Sequence, residues 1–104
     1  GGSGAIVNPT TGTATSLTGV FVQFRIGEPG ALMIEGETVL TLTYDDPING
    51  TASVDLDGIE LPQDDNFQIS YTVSYSTTTM VITFNQGVIN NQLYQIRFLR
   101  FIPL

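Results

Sequence analysis

The side chains of this chain that could carry out chemistry are mostly carboxylates, and several stand close together: Asp45-Asp46, Asp55-Leu56-Asp57-Gly58 and Asp64-Asp65. Two carboxylates held at the right separation could hydrolyse a glycoside, one kept protonated and one ionised. Here, though, they fall among Gly, Pro and Asn, where turn chemistry alone accounts for Asp, and a chain of 104 residues leaves little room for a deep cleft. Asp55-x-Asp57-Gly58 resembles a fragment of an acidic calcium loop, to which Asp45-Asp46 or Asp64-Asp65 could add oxygens. Such a loop needs ligands at five or six positions and a closing Glu, which this sequence lacks. The same spacing suits a solvent-facing strand edge that repels other strands.

The absences are sharper. With no His and no Cys, neither a Ser-His-Asp nor a Cys-His nucleophile can be assembled, and imidazole or thiolate metal sites are ruled out. With no Lys there is no Schiff base, so Arg25, Arg97 and Arg100 carry all the positive side-chain charge. No enzyme activity, metal or cofactor is expected. The net charge of −7 argues against a nucleic acid, which selects basic stripes, and against anionic membrane surfaces. No apolar run is long enough to span a bilayer, no signal peptide is evident, and no membrane insertion is expected. Asn49-Gly50-Thr51 matches a glycosylation sequon, but Asn-Gly is equally a turn dipeptide. The charged share of 12% is about half the usual value, with Thr and Ser in the surface positions that Lys and Glu usually fill.

Nearly every apolar segment has period two. Phe67, Ile69, Tyr71, Val73 and Tyr75 alternate with Gln68, Ser70, Thr72 and Ser74, which predicts one strand over Phe67–Tyr75 with a dry and a wet side. The other predicted strands are Val20–Ile26, Ala31–Glu35, Thr38–Tyr44, Thr51–Asp57, a stub at Ile59–Leu61, Thr79–Phe84 and Leu93–Ile102. Gly27–Gly30, Asp45–Gly50, Asp57-Gly58, Pro62–Asn66, Ser76–Thr78 and Asn85–Gln92 supply the turns and loops. This predicts an all-β, antiparallel β-sandwich of seven or eight short strands with minimal helix; a closed barrel is the alternative. Residues 1–4 read as a tag or linker, 5–18 as an extended stalk with a turn at Asn8–Gly12, and 19–104 as the sandwich.

Two segments are apolar on both faces. Phe21 lies opposite Phe24, and in the last strand Leu93, Leu99 and Phe101 lie opposite Tyr94, Ile96 and Phe98. Either loops cover the second face or another subunit does. With no disulfide to brace a small core, Phe21, Leu93, Leu99 and Phe101 become candidate contacts between copies. The candidate exposed binding loops hold Asp45, Asp46 and Asn49, and Asp64, Asp65 and Asn66. Arg97 and Arg100 point to opposite faces and form no single anion clamp.

The order of parts carries a resemblance. A Thr/Gly-rich stretch with isolated apolar residues (Ala5, Ile6, Val7, Leu17) and a Pro9/Gly12 turn leads into a lysine-free β-domain. That domain ends on the apolar run Leu93–Leu104. This resembles the distal end of an adenovirus fibre, a last shaft repeat followed by its C-terminal head, and in size the small heads of reptile-type adenoviruses. The Thr-Leu-Trp-Thr element that opens many mammalian heads is absent, with Thr15-Ser16-Leu17-Thr18 nearest to it, so no receptor-binding residue carries over. The resemblance implies an antiparallel sandwich, an obligate homotrimer on the virion surface and a host-cell receptor, protein or glycan. Phage tail-fibre tips share that plan. A monomeric bacterial Ig-like adhesin or scaffold module, extracellular or on the cell surface, and a carbohydrate-binding module without Trp are the other readings.

Overall fold

The fold is that of a computed structural model, which describes residues 6–7, 12 and 14–104. The predicted lead-in at residues 1–4 and most of the predicted turn at Asn8–Gly12 lie outside the described residues. Among the described residues eight strands follow one another: β1 (Ile6–Val7), β2 (Ala14–Arg25), β3 (Val39–Thr43), β4 (Ile48–Leu56), β5 (Ile59–Glu60), β6 (Tyr71–Ser76), β7 (Thr79–Phe84) and β8 (Leu93–Pro103). Among the described residues there is no helix. The strands form two antiparallel sheets, β1-β2-β8-β4-β5 and β3-β7-β6, packed face to face as a sandwich.

Alternation builds the core between them. Phe24, Val54, Tyr94, Ile96 and Phe98 point inward from the larger sheet, and Leu40, Leu42, Tyr71, Met80, Ile82 and Phe84 from the smaller. The Phe84 and Tyr94 rings meet edge-on across the gap with centroids 5.1 Å apart, a preferred geometry for two ring quadrupoles. Ile48 and Leu56 of β4 and, from the connecting segments, Ile26, Met33, Leu61 and Val88 complete the buried cluster.

The two sheets differ in length. β2 and β8 run for 12 and 11 residues, roughly 35–40 Å of extended chain, while β3, β6 and β7 have five or six residues each. The far end of the β2–β8 ribbon therefore overhangs the smaller sheet. Ser16 and Thr18, in the inward phase of β2, are exposed there. The boundary drawn at residue 18 falls inside β2: Thr15, Ser16 and Leu17 pair with Pro103, Ile102 and Phe101.

Three predicted elements are corrected. Ala31–Glu35 is not a strand. Positive φ at Gly30 and Gly36 bends the chain on either side of it, and the Ile34 N–H goes to the Glu37 carboxylate (2.6 Å) rather than to a ladder partner, so Met33 is fully buried, Ala31 packs at the core's margin, and Leu32 and Ile34 stay exposed. Phe67–Ser70 does not belong to β6. The Asp65 carboxylate accepts the Phe67 N–H and the Asn85 side chain holds Ser70 N and Gln68 O, so one nearby and one sequence-distant polar side chain displace strand pairing. Phe67 is consequently 99% exposed rather than inward, and Tyr75 is also exposed. Asn49-Gly50 is not a turn: Ile48 and Asn49 already pair with Arg100 and Leu99, and a bulge before Ala52 absorbs the irregularity. The Tyr75 ring occupies the space beside Gly50, where any Cβ would collide with it.

Candidate interaction face and loops

The larger sheet's outer face is built by the odd-numbered residues of β2 and β8 and their partners on β4. Cross-strand pairing sets Gly19 beside Leu99, Phe21 beside Arg97 and Ser53 on the other flank of Arg97. Phe21 is 53% exposed, and Leu93, Leu99 and Phe101 are half-buried. Of these four candidate contacts, Phe21 and Leu99 adjoin, Phe101 continues along the ribbon, and Leu93 stands at its opposite end beyond Gln95. Gln95 donates to Gln23 across the strands at 2.8 Å.

Gly19 gives this face a hollow. An added Cβ there would meet nothing within 4 Å, and the shallow depression around it, about 720 Å³, is lined by Phe21, Thr51, Ser53, Arg97 and Leu99. The Arg97 guanidinium lies 4.9 Å from the Phe21 ring centre and donates to Asp55 at 3.1 Å. Exposed cation–π and ion-pair contacts of this kind contribute about 1 kcal/mol or less each. Their larger effect is to fix the guanidinium at the edge of the hollow.

On the inward side Arg100 lies 4.5 Å over the Tyr44 ring and donates to Asp46 at 3.0 Å. Arg97 and Arg100, on opposite faces as expected, thus both have carboxylate partners within the chain. Asp46 is half-buried by this bond, and only Asp45 of the pair is exposed. Asn49 is not in an exposed loop either; half-buried in β4, its Oδ1 accepts from the Thr51 N–H and hydroxyl at 3.1 and 2.8 Å.

The other acidic loop keeps more of its expected character. Asp64 (φ 55°) and Asn66 are exposed, while Asp65 is spent internally. Its two carboxylate oxygens accept from Phe67 N (2.7 Å) and Gln68 Nε2 (2.9 Å), and its carbonyl accepts from Ser70 Oγ and Asn85 Nδ2. The Gln68 amide, then the Phe67 N–H, hold the Asp65 carboxyl below the usual carboxylate range. Phe67 stands at the tip of this tied loop, a surface residue that sequence reasoning missed. The signal available was Asp65 two residues before it, poised to capture its N–H. Asp65→Ala is expected to free the loop while leaving global stability nearly unchanged. Limited chymotrypsin digestion should then cut first after Phe67, faster than in the native chain.

The acidic residues do not converge. Among the described residues no group of three or more Asp, Glu, His or Cys side chains is placed to hold a metal ion, and the aspartates considered for calcium are divided among loops and strand ends. Burial raises the Tyr94 hydroxyl to about 12, with the Asp57 charge adding to it. Burial also raises Tyr71 and Tyr44, the latter partly opposed by Arg100. These hydroxyls support structure: Tyr94 donates to Gln92 Oε1 and Tyr71 to the Ala52 carbonyl. No family model, curated protein or solved structure matches the chain.

Proposed function

We propose that this domain is a non-enzymatic, homotrimeric attachment head, carried at the end of a fibre on a virion surface, that binds a host-cell receptor, protein or glycan. The observation that carries the reading is the second apolar face of the β2–β8 ribbon. A sheet covered on one side normally turns polar side chains to the other, yet Phe21, Leu99 and Phe101 interrupt that face. Charge favours the same face. The chain carries −7 overall, but the outward positions of the larger sheet hold Arg25 and Arg97 against Asp55 and Glu60 and so balance. Copies meeting there escape most of their mutual repulsion. Receptor contact then falls to loops held rigid by the sandwich, with Asp45, Asp64 and Asn66 exposed on them. Three shallow sites on one rigid body gain avidity from effective concentration alone.

A monomeric adhesin or scaffold module is the second reading, favoured by the way Arg97, itself paired with Asp55, covers part of the Phe21 ring within one chain. Light scattering at micromolar concentration separates the two. The expected mass is three times that of the 11.2 kDa chain, and Phe21→Ser with Leu99→Ser should reduce it to one copy with unchanged circular dichroism. A native chain that stays single selects the monomeric reading.

A further inference from the structure

We propose that Phe67 of one copy docks into the hollow beside Gly19 and Arg97 on the outer sheet face of a neighbouring copy. This rests on the trimeric reading and moves the 62–67 loop from receptor contact to subunit contact.

Among the described residues Phe67 is the most exposed large apolar side chain, at 99%, yet its loop is tied at the base by Asp65, Ser70 and Asn85. An aromatic ring on a pre-ordered loop loses little conformational freedom on binding, which makes it an efficient anchor. Several of the loop's polar groups are spent on one another, so what it offers a partner is an apolar ring and, three residues earlier in the same loop, an exposed carboxylate, Asp64. The hollow offers the complement. Its floor is opened by Gly19, its walls include Phe21 and Leu99, and the half-exposed Arg97 guanidinium supplies a cation for Asp64.

Symmetry points the same way. In a closed ring of three copies each contact is heterologous, one patch meeting a different patch on the next subunit. The loop runs from β5, at an edge of the larger sheet, to β6, at an edge of the smaller, and so occupies the flank of the sandwich. The hollow lies on the adjoining face, with β4 as the common border: Thr51–Ser53 line both it and the cleft reaching Gln63 and Asp64. Patches on adjacent sides allow a ring to close, whereas patches on opposite sides would favour an open filament.

The chain has no cysteine, so thiol trapping is clean. Gly19→Cys combined with Phe67→Cys should yield covalent dimers and trimers under mild oxidation, and Gly19→Cys alone should not. Phe67→Ser, at a side chain that touches no core, should cut the scattering mass threefold while leaving circular dichroism unchanged. A native trimer that survives Phe67→Ser and gives no 19–67 cross-link overturns this contact and leaves the trimeric head standing. A native chain of single mass overturns both. A mass that climbs continuously with concentration, with the cross-link present, supports the contact and overturns ring closure.

Discussion

Ile96→Ala is expected to destabilise the domain by about 3–4 kcal/mol, in the range for truncating a fully buried branched side chain in a core that cannot collapse around the gap. Ile96 is 0% exposed and sits on β8, the middle strand of the five-stranded sheet, between Val22 and Val54. Strands on both sides hold the backbone there, so relaxation into the cavity is limited. A domain of this size has a total stability of roughly 5–15 kcal/mol, and no disulfide adds to it. The single change therefore removes a large fraction of it. Ile34→Ala, at a side chain 73% exposed, serves as the control, with an expected change below about 0.5 kcal/mol. Urea unfolding followed by far-ultraviolet circular dichroism measures both. Equal midpoints would mean that the sheet order or the inward phase of β8 is wrong.

How much of this was legible in the residues depends on where each backbone group finds its partner. Thr79–Phe84 could be read to its ends because its alternation and its hairpin partner lie close in sequence. Asp57-Gly58 could be read because a two-residue hairpin with both φ values positive demands such residues. The two-faced character of β8 was also visible, and it is what led to the candidate contact face. What stayed hidden was settled at a distance. Ala14–Leu17 contains little apolar surface, and its strand character comes from β8, more than 80 residues later. Phe67 alternates perfectly with its neighbours, but Asn85, distant in sequence, helps draw the segment out of the sheet. Asn49-Gly50 has the chemistry of a turn and serves a bulge, because Tyr75 needs the space that a side chain would fill. The hollow at Gly19 was not legible at all, since one missing side chain becomes a cavity only when the adjacent strands bring large ones around it.

The second large effect is expected at alkaline pH. His, Cys and Lys are absent, so no side-chain type in the chain has its ordinary pKa between the carboxylate range and pH 10. Stability should be nearly flat across that interval, and then fall. Tyr94, Tyr71 and Tyr44 all hold their protons more tightly folded than unfolded, chiefly because burial disfavours the phenolate. Above pH 10 the unfolded chain loses these protons while the folded chain keeps them. The native state then binds more protons than the unfolded one, and unfolding free energy decreases with each further rise in pH. The contribution is complete below pH 10 and is lost as pH climbs toward the folded value, about 12 for Tyr94. In a Tyr75→Phe background, which removes the one exposed tyrosine, tyrosinate absorbance should therefore rise in step with the loss of β-sheet signal, not before it. Tyr94→Phe removes the most strongly shifted group and should make the alkaline decline shallower, while surrendering only the hydrogen bond to Gln92 at neutral pH. If these phenols ionise well below the unfolding transition, the inner faces of β6 and β8 are open to water. The apolar residues on the outer face would then be sharing in a loose core rather than awaiting a second copy.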